Sequence, residues 1–278
     1  MPADPRGLLV GSSGARLSFV FRPEGGRRVA AWLLPGSPGF CLDGGMDLVW
    51  PGCRNVRDVG GLPTGDGGRV RSGVLIRSES LQYLTAEGVA AVEGAGVGRI
   101  LDLRSDGEVE VGPTPFTGSA LAVRQRVADP ADPQHGQPTI VAACTWMLDR
   151  RPELFAAAVK AIADEQDGAV VVHCHGGKDR TGMVVALALR VAGVPDDAIV
   201  ADYFLTQSRL QPWLEEQLAA EPDTAKHPEM IEFRDTRAES IVAILRHIDE
   251  VYGGAEAYLR HGGLTDADLS RLRDRLVE

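Results

Sequence analysis

The sequence predicts an α/β fold: a central, mostly parallel sheet flanked by helices, and no simple bundle or sandwich. A small β-rich extension over residues 1–50 precedes it, and its C-terminal part is helical. Three observations carry this. Short apolar runs alternate with helical periodicities through the middle of the chain. The run AVVV (169–172) leads through a glycine-containing loop into the apolar helix pattern TGMVVALALRVAG. After Pro195 the apolar residues keep helical spacing almost to the end. Residues 51–278 are expected to form one domain, with residues 1–50 outside it.

The elements are taken in chain order. ARLSFVF (15–21) and RRVAAWLL (27–34) read as strands separated by the turn residues RPEGG. Gly-rich turns and short strands fill residues 55–81. Thr85 is placed to cap a helix over AEGVAAVEGAG. GRILDLRS (98–105) reads as a buried strand with a polar end, and residues 112–139 as a long Pro- and Asp-rich loop. WMLDRRPELFAAAVKAIAD (146–164) has helical spacing throughout. The helix after AVVV is expected to stop at Gly193. DDAIVADYFLTQS, QPWLEEQLAA and AESIVAILRHIDEVY are further helical stretches. Thr265 with Asp268 makes an approximate capping box for a last helix.

Composition narrows the partners. The chain has 278 residues, 44% of them apolar, enough for a sizeable core. A net charge of −10 argues against nucleic acid or an anionic membrane as the bulk partner. Lysine occurs only at positions 160, 178 and 226, which draws notice to Lys178. Cys41, Cys53, Cys144 and Cys174 match neither a metal-knuckle spacing nor a disulfide framework, and the first three read as packing residues. There is no signal-peptide pattern and no run of about 18 uninterrupted apolar residues, so a cytoplasmic protein without a membrane span is expected. The sequence leaves the oligomeric state open.

The stretch HCHGGKDRTG (173–182) carries the chemistry. A strand–loop–helix junction presents unpaired backbone N–H groups at the positive end of a helix dipole, which is an anion site. Gly176 and Gly177 let the amides turn inward, and Arg180 supplies a planar fork for two phosphate oxygens. Residues His175, Gly176, Gly177, Lys178, Asp179 and Arg180 are thus the expected phosphate cradle. Cations and helix N-termini favour thiolates, so Cys174 is the candidate nucleophile, passing through a phosphocysteine. Thr181 is placed to donate a hydroxyl to the sulfur, and His173 to orient the loop. Asp179 reads as an orienting carboxylate. Lys178 is either a second cation for the substrate or a solvated rim residue. A metal site from His173, Cys174 and His175 is disfavoured, since adjacent strand residues face opposite ways.

HCHGGKDRTG resembles the His-Cys-x5-Arg-Thr/Ser signature of cysteine-dependent protein tyrosine phosphatases. Its ending is similar to the bacterial tyrosine/serine phosphatases of the mycobacterial type, whose activity overlaps with that of lipid phosphatases. NVRDVGG (55–61), LIRSESL (75–81), ILDLRSDGEV (100–109), VADYFLTQ and YGGAEAYLRHGGLTD share the resemblance, which covers about residues 51–278. It implies a phosphomonoester hydrolase, tyrosine or dual-specificity, needing no metal and no cofactor. Its partner would be a phosphorylated protein or a small phosphate ester.

No Trp-Pro-Asp tripeptide supplies the general acid. Asp129 and Asp132 each precede a proline in the 112–139 loop, and the family's spacing favours Asp129. Arg57 and Asp58 are expected to form a structural ion pair near the loop, and Arg104 to support it. The Trp and Leu of QPWLEEQL read as helix packing, although the family implies a helical lid. A small-molecule phosphatase with the same chemistry, a silent phosphate-binding module and a sulfurtransferase are the rivals.

Overall fold

A computed structural model describes residues 18–24, 27–33, 47–128, 136–165 and 167–278. The chain divides into two compact units, Met1–Asp43 and Gly44–Glu278. In the first, β1 (Ser18–Glu24) and β2 (Arg27–Leu33) form an antiparallel hairpin with Glu24 opposite Arg27. The hairpin takes in Arg22, Pro23 and Glu24, which the sequence assigns to the turn.

The second unit holds a five-stranded sheet of β3 (Arg57–Asp58), β4 (Leu75–Ser78), β5 (Val97–Asp102), β6 (Ala122–Arg124) and β7 (Ala169–His173). Its order is β3-β4-β7-β5-β6, parallel except for β3 at the edge. The expected α/β class is therefore present. All of β7 is buried, as a central parallel strand covered on both faces must be. Its side chains alternate between two cores: Val170 and Val172 join the larger, Ala169 and Val171 the smaller.

The smaller core also takes Trp50, Ile76, Ile100 and Val92, the last from α1 (Ala86–Gly94). Thr85 caps α1 as expected, its side chain accepting from Gly88 N–H at 3.2 Å. A short helix, α2 (Asp106–Val111), follows β5. Its capping box, Ser105 with Glu108, passes unnoticed in the sequence because one turn and a half has no visible periodicity.

Two expectations need correction. The 112–139 stretch is not all loop, because it contains β6, which is too short to display alternation. The 146–164 helix is two helices, α3 (Ile140–Arg150) and α4 (Pro152–Ala163). Pro152 cannot continue a helix but starts one well, so the axis is interrupted at Arg151.

The larger core is covered by α3, α4 and the C-terminal helices. These are α5 (Asp179–Val191), α6 (Asp196–Ala220), α7 (His227–Arg234), α8 (Ala238–Tyr252), α9 (Ala255–His261) and α10 (Asp266–Leu276). Helix α5 gives way at Gly193, which has φ of +79°. Helix α6 unites two of the expected stretches and continues through Pro212. Helix α7 is polar and weakly patterned, so the sequence does not announce it. The Thr265–Asp268 box caps α10, with the Asp268 carboxylate 2.8 Å from the Thr265 N–H. Among the described residues, no helix is long and apolar enough to cross a membrane.

Candidate active site

The HCHGGKDRTG segment joins the end of β7 to the start of α5. Three of its carbonyls are bonded away from the turn. The His175 carbonyl accepts from Ser80 N–H at 2.9 Å, that of Gly176 from Asn55 Nδ2 at 3.0 Å, and that of Gly177 from Arg77 Nη2 at 2.9 Å. In a trans peptide the C=O and the following N–H point oppositely. Anchoring these carbonyls outward therefore turns the N–H groups of Gly176, Gly177 and Lys178 inward. Gly177 has φ of +64°, and a Cβ there would run into the Ser78 carbonyl, so both conformation and space demand glycine.

Cys174 lies at the base of this turn, 3% exposed, and lines a pocket with His175, Gly176 and Arg180. His173 is fully buried, and its Nδ1 lies 3.3 Å from the Cys174 carbonyl and 3.9 Å from Asp102. Burial pushes its pKa down to about 4, so it is neutral at pH 7, which suits an orienting group better than a charged one. Burial also lowers the pKa of His175. Thr181 Oγ1 is buried and has no hydrogen-bond partner, so the expected Thr181–Cys174 bond is not formed.

Arg180 is held by a residue the sequence reading missed. Its Nη1 and Nη2 donate to the two carboxylate oxygens of Glu108, at 2.6 and 2.7 Å. Burial opposes the Glu108 charge, but the bonds and charge of Arg180 prevail and hold its carboxyl down at about 2. The same carboxylate accepts from Ser105 N–H at 2.8 Å, so the capping box of α2 aims it. Guanidinium has five N–H donors, and two go to Glu108. Arg104 is fully buried, bonded to Asp102 through Nε and Nη2 and to the Gly112 carbonyl through Nη1. It braces the chain entering and leaving α2.

The Arg57–Asp58 pair is not formed, because neighbouring strand residues face opposite ways. Arg57 Nε instead bonds Asp202 on α6 at 2.7 Å, and Arg57 Nη1 bonds Asn55 Oδ1 at 2.7 Å. Arg77 Nη1 takes the other Asp202 oxygen at 2.5 Å. Asp58 accepts backbone N–H groups from Gly60 and Gly73. Glu79 holds Asn55 through its backbone N–H at 2.7 Å. Asn55, Arg77 and Asp202 thus brace the turn from behind. Asn55 and Arg77 fall within NVRDVGG and LIRSESL, the sequence signal that points to them. For Asp202 it is VADYFLTQ.

Lys178 lines the pocket but is not a solvated rim residue. It is 4% exposed, and its Nζ donates to the carbonyls of Phe233 and Asp235 at 2.9 Å each, with Asp179 3.5 Å away. Asp179 also accepts from Tyr203 Oη at 3.1 Å. The pocket walls are Leu210, Trp213 and Leu214 of α6 and Phe233 of α7. Trp213 lies against His175, ring centroids 5.7 Å apart and tilted by 35°. The Trp and Leu of QPWLEEQL therefore line the pocket, and the plain packing reading of them does not hold. Asp129 and Asp132 lie outside the described residues.

The chain is similar in sequence to known proteins. The profile of the tyrosine phosphatase family matches residues 48–278. The triple specificity protein phosphatase PtpB of Mycobacterium tuberculosis is 30% identical over 275 residues, spanning 82% of this chain and 98% of that protein. A tyrosine-protein phosphatase of Nostoc commune is 34% identical over 137 residues, 47% of this chain and 46% of that one. A profile match over most of the chain, together with a relative 30% identical over 82% of it, makes this protein an enzyme of the tyrosine phosphatase family.

Proposed function

We propose that the protein hydrolyses phosphotyrosine in proteins through a phosphocysteine on Cys174. The observation that carries this reading is the outward anchoring of the His175, Gly176 and Gly177 carbonyls, which leaves the amides that follow them to face the pocket lined by Cys174 and Arg180. The substrate phosphate accepts from those amides and from the Arg180 donors that Glu108 leaves free. The Cys174 thiolate attacks phosphorus in line. As the S–P bond forms, the bond to the leaving oxygen breaks, and Asp129 gives that oxygen its proton. Water then attacks phosphorus, its proton passes to the Asp129 carboxylate, and the S–P electron pair returns to sulfur. Protein side chains and amides supply every step, so no metal or cofactor enters.

Trp213, Phe233 and Leu210 form apolar walls above the cradle, which suits an aryl group. The name of the mycobacterial relative, a triple specificity protein phosphatase, supports a protein substrate and leaves room for phosphoserine and phosphothreonine. The catalytic domain is taken as residues 51–278 and residues 1–50 as an extension. A cytoplasmic location belongs to the same reading, because a reducing compartment keeps Cys174 a free thiol.

The test is to trap the intermediate. Acid quenching during turnover should leave one phosphoryl group on the peptide containing Cys174, and Cys174→Ser should leave none while still binding phosphate esters. Turnover without a Cys174 adduct, or Cys174→Ser activity within about tenfold of wild type, excludes the mechanism. A panel of phosphotyrosine and phosphoserine peptides, inositol phosphates and nucleotides separates a protein phosphatase from a small-molecule one. Asp129→Asn should slow alkyl phosphates more than p-nitrophenyl phosphate, whose leaving group hardly needs a proton. The same pattern in Asp132→Asn alone transfers the role to Asp132.

A further inference from the structure

One cation at the pocket has no part in the chemistry above. Arg234 ends α7, is exposed, and lines the pocket beside Phe233. Its hydrogen-bond partner among the described residues is the neutral Gln217 side chain of α6. No carboxylate there pairs with it. The other charges lining the pocket are paired: Arg180 with Glu108, and Lys178 with Asp179. Arg234 is thus the pocket cation whose field is not spent on a protein anion.

Its place is set from within the phosphate turn. Lys178 bonds the carbonyls of Phe233 and Asp235, the residues on either side of Arg234. A buried ammonium needs its donors satisfied, so releasing these carbonyls is costly. The backbone that carries Arg234 is therefore tied to the cradle. The His175 pKa, lowered first by burial, is lowered further by Arg180, Arg104 and Arg234, so the Arg234 charge is felt at the cradle itself.

We propose that Arg234 is a specificity-determining residue that binds a second acidic group on a phosphotyrosyl peptide, with Lys178 as its positioning residue. This rests on the phosphotyrosine reading above. The walls beside the cradle are Leu210, Trp213, Leu214 and Phe233, an apolar surround for the aryl ring. The second charge then belongs to the peptide beyond the ring: an aspartate, glutamate or second phosphorylated residue next to the phosphotyrosine. A hydroxylated inositol ring would leave polar groups facing those apolar walls. The chain's net charge of −10 disfavours acidic peptides at long range, so an unpaired local cation matters more for them.

The test compares kcat/KM for three matched phosphotyrosine peptides with acidic, neutral or basic neighbours. It uses the full-length wild type, Arg234→Gln and Arg234→Glu, each checked for a wild-type circular dichroism spectrum and melting temperature. The wild type should favour the acidic over the neutral peptide about two- to fivefold, the range of one exposed charge pair. Arg234→Gln should bring that ratio to about one, and Arg234→Glu should shift preference to the basic peptide. The wild-type ratio should shrink as salt is raised. An acidic preference that survives in Arg234→Gln overturns the proposal, and so does an equal loss on all three peptides. If the wild type turns over none of the peptides, the phosphotyrosine reading itself fails; turnover with no acidic preference fails only the role of Arg234.

Discussion

Arg180 shows how much of a pocket side chain's behaviour is settled by its partner. Glu108 holds both terminal nitrogens, so the fork is oriented before any phosphate binds. Lysine at this position would keep the charge and lose the fork. Arg180→Lys is expected to lower kcat/KM for p-nitrophenyl phosphate by at least about a hundredfold, and a loss under about tenfold would mean that the fork is not used. His173 offers a separate test through pH. Its folded pKa is about 4, below the ordinary histidine value, because burial disfavours the imidazolium. Between about 6.5 and about 4 the unfolded chain therefore binds more protons than the folded one. Stability from this group is complete above about pH 6.5 and is lost as pH falls towards 4. The melting temperature should fall from pH 7 to pH 4.5, and less steeply in His173→Asn; parallel curves would contradict the assignment. Asp202, held down at about 2 by Arg57 and Arg77 against its burial, gives way only at lower pH, so the two effects separate.

At the scale of elements, Asp202 joins α6 to the strands. Burial and the charge of Arg77 lower the Arg57 pKa to about 9, against the pull of Asp202. Asp202→Asn removes the one carboxylate that both guanidiniums share and leaves two buried cations behind. We expect a loss of about 3–5 kcal/mol, read as a lower urea midpoint at unchanged slope. The Cys174–Arg180 turn should suffer too, since Arg77 also holds the Gly177 carbonyl. A midpoint within experimental error of wild type would show that the pair contributes nothing net. Lys178 joins the turn to the α7–α8 link in a comparable way, through carbonyls in place of a carboxylate.

At the scale of the whole molecule, the parallel sheet does the assembling. β4, β7 and β5 are adjacent and run the same way, so Ser78, His173 and Asp102 finish side by side. The segments that leave these three strands meet at that edge: the Glu79 segment, the Cys174–Arg180 turn, and the α2 turn with Glu108. This is the carboxyl end of a parallel sheet, where such folds place their sites. The hairpin unit, Met1–Asp43, is divided from the unit that holds all of these groups. Deleting residues 1–43 should leave kcat for p-nitrophenyl phosphate within about twofold and the unfolding transition cooperative. A collapse of either would show that the extension is part of the catalytic unit.

The sequence by itself determined what is contiguous: the cysteine, the glycines and the arginine on one turn, the buried strand before it, and the apolar helix after it. Local chemistry was enough for these, because steric, capping and dipole effects act over a few residues. It also marked Thr85, Thr265 and Gly193 as element ends, for the same reason. Only the tertiary structure decided the partners. Glu108 and Arg180 lie 72 positions apart, and Arg57 and Asp202 lie 145 apart. The Arg57–Asp58 pairing failed because adjacency on a strand separates side chains. Lys178 is tied down because two carbonyls at the end of α7, one on the helix and one just past it, came within its reach. Hydrogen-bond complementarity is met through space, and a linear pattern does not record which distant donor and acceptor the sheet will bring together.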